Sequence, residues 1–477
     1  MTPYSTLITS ARLRETSKKG RDLKDEVRSD GARITTSTAF RRLQTKAQVF
    51  SLEQNAAVRT RLTHTLEVAM YGEIIARKVF DKLKSSGYID EEMRVPFTKS
   101  VENACLLHDI GNPPFGHLGE FSIKDWFADE TTKDRITDRW AESDVARNDI
   151  TKNYASFEYF DGNPQGFRYV TRLQWLRDGY GLNLTCTLLA SILKYLDTEP
   201  NNSETFNKKT GFFETERDKV LRIWDMLGLR VQNNLPAQRH PITFLMEAAD
   251  DIAYCLSDIE DAIEKGVISE RFFHDQLDDE VEGEFWPDNP YKSSEDNVAQ
   301  DANFKIFKIE ATNYLTEKVS EIYLDKHPNI IDGSIQKPLL QYDERSRQLL
   351  DNLKEIAGSH IFTSKEAVNV EVSGHQIIQQ LLEDMMKLLH LSSQDFKSLI
   401  DVYPGVNENV QKPLEERLAT LLPYRHSLAY KHMSEKCPVR EPIYRTHLIV
   451  DYIAGMTDSH AVKVYNMLQG ISANETV

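Results

Sequence analysis

Apolar positions along this chain recur mostly at the spacing of helices, and one short stretch alternates as a strand would. From Val58 to Lys84, Leu62, Leu66, Ala69, Ile74 and Val79 fall at helical intervals, and Gly87 marks the stop. Ser37 suits an N-cap before Thr38–Leu43. A helix is predicted from about Lys99 to His108, and another after Pro114 with Trp126 and Phe127 as packing residues. Residues 129–153 read as a charged insertion. Glu158 to Trp175 reads as helix around a break at Gly162-Asn163-Pro164. Leu184 to Leu196 is predicted helical, with Lys194 and Tyr195 in its last turn, and Asn201 to Lys209 as a polar loop. Pro241 suits a first helical position and Gly266 a stop, so a helix is predicted over 241–265. Four more follow: Thr312–Leu324, Gln348–Ala357, Gln376–Leu391 and Arg445–Leu468. Glu366 to Val372 is the one candidate strand. The expected fold class is all-α.

The organisation follows from shifts in composition. Residues 1–35 are highly charged and read as a poorly ordered arm with a short helix. Residues 36–280 should form the catalytic helical bundle. Residues 281–303 read as a linker or lid insertion. Residues 304–477 should form a helical C-terminal lobe that packs on the bundle and takes part in oligomer contacts. No apolar run approaches the roughly 20 residues of a membrane helix, and no signal-peptide core appears between Met1 and Asp30. The four cysteines lack paired metal spacing and read as reduced thiols of a cytoplasmic protein. A net charge of −16 argues against a general nucleic-acid coat, while a local basic patch could still bind a strand. A polyanionic substrate would need a local cluster of cations and a metal.

The candidate chemistry centres on Cys105-Leu106-Leu107-His108-Asp109-Ile110-Gly111-Asn112-Pro113-Pro114-Phe115-Gly116-His117-Leu118-Gly119-Glu120. An apolar helix ends in an adjacent imidazole and carboxylate, and a Gly/Pro turn then exposes the pair. His117 and Glu120 return one turn apart on the next helix. Further ligands can come from Arg59–His64 and from Glu247–Tyr254. His64, His108, Asp109 and a later Asp would give two imidazoles and two carboxylates. Spacing alone does not choose between Asp250 and Asp251. Asp250, Tyr254 and Asp258 fall within an arc of about 80° on one helix.

These blocks, with Phe40–Phe50, Gly162–Arg168 and Asp451–Asp458, resemble the bacterial deoxyguanosine triphosphate triphosphohydrolases, a branch of the HD-domain phosphohydrolases. The resemblance implies an HD-domain helical bundle. It implies hydrolysis of dGTP, or of other dNTPs, at the α-phosphorus to a deoxynucleoside and inorganic triphosphate. It implies one divalent metal per subunit, Mg²⁺ or Mn²⁺, and points to Asp250 as the fourth ligand. His117 is then the acid-base candidate, with Glu120 orienting it. Arg61, Lys194 and Arg168 are the phosphate-binding candidates, and Asn163 a further substrate contact. Tyr254 would pack on the deoxyribose, while Gln48 and Asp258 would bond its 3′-hydroxyl. The implied partners are a homo-oligomer, a hexamer by that resemblance, and single-stranded DNA as an effector. A bare His-Asp doublet would also suit another HD-domain nucleotidase or phosphodiesterase, or a nucleotide-sensing, single-strand-binding regulator. The Gln48, Arg61 and Tyr254–Asp258 set favours the triphosphohydrolase.

Overall fold

A computed structural model of the chain describes residues 3–17, 20–53, 55–200, 209–278, 281, 283, 285, 303–335, 337–401 and 413–471. The described residues are almost all helix and loop, as the periodicity predicts. The exception is a two-stranded hairpin, Val231–Gln232 paired with Leu235–Pro236. Asn233 and Asn234 turn it with φ of 52° and 59°, a conformation that Asn tolerates better than most residues.

Side chains gather into two apolar cores, and these cut across the sequence boundaries at 280 and 303. The first core holds the helices Arg61–Ser85, Arg94–Leu107 and Pro241–Lys265, together with Asn303–Asp325 and Glu344–Ile356. The second holds Gly116–Ala128, Glu130–Glu142 and Arg147–Glu158 with Lys365–Leu389, Tyr424–Lys436 and Glu441–Ala454. The chain passes from the first to the second between Ile110 and Phe115, just beyond the His-Asp doublet.

The long predicted helices form with nearly the expected ends. Thr60 caps the first by accepting from Thr63 N, and Gly87 follows it with φ +73°. The other runs from Pro241 at its first turn to Gly266 in the left-handed region. Only part of the expected stripe of Arg61–Ser85 faces inward: Ala69 and Val79 are buried and Leu62 packs against the core. Leu66 and Ile74 are exposed, while Val68, Tyr71, Gly72, Ile75, Ala76, Val79 and Phe80 pack inward. Gly72 is needed there, because a Cβ would lie 2.5 Å from Cys105 Sγ.

Other expectations are corrected. Residues 4–14 are no loose arm: Tyr4, Leu7, Ile8 and Leu13 are buried in the first core. Arg12 is buried too, paired with Asp30 Oδ1 at 2.6 Å and with Glu26. Residues 129–153 lie mostly in two helices, Glu130–Glu142, capped by Asp129, and Arg147–Glu158, whose Ile136, Trp140 and Tyr154 fill the second core. The helix predicted from 184 to 196 is only Cys186–Ser191, so Lys194 and Tyr195 sit in the loop beyond it. Glu366–Val372 is not a strand but the start of the helix Lys365–Leu389, capped by Ser364. Val368 and Val372 point to solvent there, while Ala367, Gly374, Ile377, Ile378 and Leu381 carry the helical face. Arg445–Leu468 is two helices, broken at Gly455-Met456-Thr457. The expected linker at 281–303 and the polar loop at 201–209 fall largely outside the described residues.

Candidate active site

The doublet's position follows from its glycines. A Cβ at Gly111 would lie 2.0 Å from the Gly162 carbonyl and 2.1 Å from Gly166 N, so the turn sits directly on the backbone of 162–166. Gly119 touches Pro114 in the same way, its Cβ position 2.0 Å from the Pro114 carbonyl. Two polar side chains pin the turn. Buried Lys46 donates from Nζ to the carbonyls of Asn112 and Ala454, the latter at 3.0 Å, and burial lowers its pKa to about 7. Asp458 accepts from Ala47 N and Phe115 N, both at 3.1 Å. The Phe40–Phe50, His108–Glu120 and Asp451–Asp458 blocks thus meet in one structure.

His108 Nδ1 lies 2.7 Å from the Cys105 carbonyl. A carbonyl only accepts, so Nδ1 carries the proton and Nε2 keeps its lone pair. That Nε2, fully buried, has no hydrogen-bond partner among the described residues, and neither has His64 Nδ1. The two rings are 5.5 Å apart between centroids. One donor atom each from His64, His108 and Asp109 lies within 4.8 Å of the others, close enough to share an ion. Asp250 Oδ1 is 3.3 Å from His108 Nε2 and 3.6 Å from His64 Nε2. A basic imidazole nitrogen left unpaired beside carboxylates fits a divalent cation, so the donor set passes that test.

The charges around this set are fixed by neighbours. Burial opposes ionisation of Asp109, but Arg61 Nη1 at 2.5 Å and the two histidines outweigh it and hold the carboxyl far below its usual range. Asn112 Nδ2 donates to its other oxygen at 2.8 Å. Burial likewise opposes the charge on Asp250, and Lys194 Nζ at 2.6 Å with His108 and His64 outweighs it. Asp251 behaves differently: burial raises it to about 6, with Lys354 opposing.

A cavity of about 410 Å³ opens beside the cluster. It brings together Gln48, Arg61, His108, Asp109, His117, Glu120, Asn163, Lys194, Asp250 and Tyr254, all expected at the site. His117 is largely exposed, and its Nδ1 lies 3.0 Å from Oε2 of buried Glu120. Glu120 also accepts from Gly162 N at 2.8 Å. Its burial is outweighed by His117, Lys209 and that N–H, and its pKa falls to about 2. His64 lies just behind the wall, 1% exposed. Asp258 is also behind the wall, fully buried, with neither carboxylate oxygen partnered among the described residues. Burial holds it well above the carboxylate range.

Arg168 is not brought to the cavity. Its guanidinium is buried and forked onto Asp451, at 2.8 Å and 3.0 Å from Nε, with Glu216 Oε1 at 3.0 Å. Buried and absent from the cavity lining, it leaves the set of phosphate-binding candidates. Lys209, which the sequence reading left in a polar loop, lines the cavity instead. It reaches Asp161 at 3.0 Å and Glu120 at 4.0 Å. Gly211 holds it there, since a Cβ at 211 would lie 1.9 Å from the Tyr195 carbonyl. The signal was available: a glycine followed by two buried phenylalanines anchors that loop end. Tyr195, Phe362 and Glu371 also line the cavity and were not singled out.

The comparisons bear directly on this site. The HD domain family model matches residues 61–146, a span that contains His64, His108, Asp109, His117 and Glu120. Over 93% of its length the chain is 35% identical to the deoxyguanosinetriphosphate triphosphohydrolase of Salmonella arizonae, covering 93% of that protein. The chain belongs to the deoxyguanosinetriphosphate triphosphohydrolase family. The enzymes of that name from Cronobacter sakazakii and Klebsiella pneumoniae are each 36% identical, over 93% and 94% of this chain and 93% and 95% of their own. Lys194, Lys209, Asp250 and Tyr254 lie outside the HD model's span, yet the fold brings them to the cavity that His108 and Asp109 line. Among the described residues, no helix is long and apolar enough to cross a membrane.

Proposed function

We propose that the protein hydrolyses deoxynucleoside triphosphates at the α-phosphorus, with dGTP as the substrate that the relatives' names indicate. One observation carries this reading. A single cavity is lined by His108, Asp109 and Asp250, with His64 just behind the wall, and by Arg61, Lys194, Lys209 and the His117–Glu120 pair. His64, His108, Asp109 and Asp250 would hold one divalent ion; carboxylates and room for water suit Mg²⁺, and the imidazoles tilt the choice toward Mn²⁺. When bound, that ion supplies a Lewis acid that acidifies water and polarises a phosphoryl oxygen.

The residues do the rest. Arg61, Lys194 and Lys209 would bind the triphosphate oxygens by charge-assisted hydrogen bonds. Water adds to the α-phosphorus, and the bond from that phosphorus to the sugar 5′-oxygen breaks. The departing alkoxide needs a proton, which protonated His117 would give. Glu120, ionised throughout the neutral range, accepts from His117 Nδ1 and so leaves Nε2 to exchange that proton. Tyr254 and Asp258 lie one and two turns beyond Asp250, about 5.4 Å per turn. Gln48 Oε1 and both oxygens of Asp258 are buried and unpartnered among the described residues. Unsatisfied polar atoms beside a cavity support a ligand hydroxyl there, and penalise a substrate without one.

From the family resemblance we also carry a homo-oligomeric assembly, a hexamer, and single-stranded DNA as an effector. The test of the reaction is turnover of the four dNTPs with Mg²⁺ or Mn²⁺, with products separated by anion exchange. Deoxynucleoside and triphosphate in equal amounts are expected. Orthophosphate as the product would instead make the protein a different HD-domain phosphohydrolase.

A further inference from the structure

A second cleft, remote in sequence from the metal ligands, has its own chemistry. It holds about 180 Å³ and is lined by Arg14, Thr16, Ser17, Arg33, Leu176, Arg177, Gly181, Leu182 and Asn183. Three of these nine are arginines and none is an acid, in a chain whose net charge is −16.

The cleft is rigidly built. Asn183 sits in the left-handed region at φ 48° and clasps the Arg14 backbone in both directions. Its Oδ1 accepts from Arg14 N at 3.3 Å, and its Nδ2 donates to the Arg14 carbonyl at 3.0 Å. Arg33 Nη1 donates to the carbonyls of Leu182 at 2.7 Å and Asn183 at 3.1 Å. Gly181 closes the turn, because a Cβ there would lie 2.3 Å from the Val170 carbonyl. These bonds fix the Arg14 backbone and the Arg33 guanidinium before any ligand arrives, which reduces the ordering cost of binding.

The charges are not balanced locally. Asp178, just outside the lining, pairs with Arg14 Nε at 2.7 Å and offsets one of three cations. Burial and the nearby Arg12 and Arg14 lower the pKa of Arg33, with Asp30 and Glu26 opposing. Arg12 itself is already engaged by Glu26 and Asp30. Exposed Arg177 on the rim forms no salt bridge among the described residues. The acids Glu26, Asp30 and Asp178 against Arg12, Arg14, Arg33 and Arg177 leave one positive charge in excess, and Arg33 and Arg177, in no salt bridge among the described residues, suit a compact oxyanion, since guanidinium forks match phosphate oxygens.

We propose that this cleft binds the phosphate chain of an oligophosphate, either inorganic triphosphate or the 5′-triphosphate of a nucleotide. Its volume admits the phosphates and leaves the remainder of a nucleotide outside. The site is separate from the catalytic cavity, with no lining residue in common. It does not rest on the reaction proposed above.

The test uses the full chain in EDTA, where no turnover can consume the ligand. Inorganic triphosphate and dGTP are titrated calorimetrically into the wild type, Arg177→Glu and Arg177→Gln. Circular dichroism checks the fold of each variant, and Arg177 is exposed enough for both to be tolerated. The wild type should show two classes of site. Arg177→Glu should lose one class, and Arg177→Gln should weaken that class about tenfold or more. Loss in both titrations assigns the cleft to the phosphate chain whatever carries it, and loss with dGTP alone assigns it to nucleotides. Isotherms that are identical in all three proteins, with either ligand, would overturn the proposal.

Discussion

At the scale of single residues, metal binding turns on which nitrogen of His108 is free. The Cys105 carbonyl settles that, and the unpartnered Nε2 then needs something to bind. His64→Ala and Asp109→Ala should each lose the bound metal while the helical fold persists. Elemental analysis beside circular dichroism checks this, and full metal content in either variant would remove that residue from the ligand set. His117 is placed outside the set. His117→Ala should therefore keep its metal and lose roughly 10²–10⁴-fold in kcat; an unchanged single-turnover rate would rule out its proton-transfer role. Arg168 shows where reading a residue from sequence stops. A cation in a Gly-Asn-Pro-Gln-Gly-Phe-Arg run can reach a substrate or an acid, and only the fold, by bringing up Asp451 and Glu216, decides between them. Arg168→Ala should cost about 3–5 kcal/mol, the usual effect of stranding buried acids. The folded fraction should retain the wild-type KM, read by denaturant unfolding and steady-state kinetics.

At the scale of elements, the Pro241–Lys265 helix was legible to its last residue because both ends carry strong signals, Pro241 and Gly266. The Arg61–Ser85 helix is legible in extent and only partly in facing. Its inward side also uses small and polar residues such as Thr65, Gly72 and Ala76, so counting apolar spacing finds Leu62, Ala69 and Val79 but adds the exposed Leu66 and Ile74. Alternating Val368, Val370 and Val372 imitated a strand. Ser364 as a cap and the apolar spacing of Ile377, Ile378, Leu381 and Leu382 override that local preference. One prediction belongs to the joint between the Gly162–Arg168 helix and Glu216. Burial would raise the Glu216 carboxyl, but Arg168 and Arg172 outweigh it and depress its pKa from 4.5 to about 2. A depressed acid stabilises the fold fully above its unfolded pKa and loses that contribution as the pH falls through the folded value. Stability should thus fall between pH 4.5 and about 2, by on the order of 3 kcal/mol from this group. Glu216→Gln should flatten that part of the profile in urea unfolding across the window. A second prediction belongs to the Pro241–Lys265 helix. Asp258→Ala should reduce the disadvantage of dideoxy-GTP relative to dGTP, and Tyr254→Ala should relax exclusion of GTP. Both are read as ratios of kcat/KM. Equal losses on all three substrates would make both residues packing elements only.

At the scale of the whole molecule, two cores meet at the cavity, and each supplies half of its chemistry. The first core carries the histidine and carboxylate set with Lys194 and Tyr254; the second carries His117, Glu120 and Glu371. The blocks that carry the chemistry were visible in order along the chain. Their meeting was not, because it depends on Lys46 and Asp458 pinning one turn from two distant segments. Lys209 was missed for the same reason: its loop is polar locally, and only the approach of Gly211 to Tyr195 turns it toward the cavity. The central claim is that this cavity directs water to the α-phosphorus. Turnover of dGTP in ¹⁸O-labelled water with Mn²⁺, followed by mass spectrometry of both products, tests it most directly. One label is expected in the triphosphate and none in deoxyguanosine. Label in the deoxynucleoside, or release of pyrophosphate or orthophosphate in place of triphosphate, would contradict it.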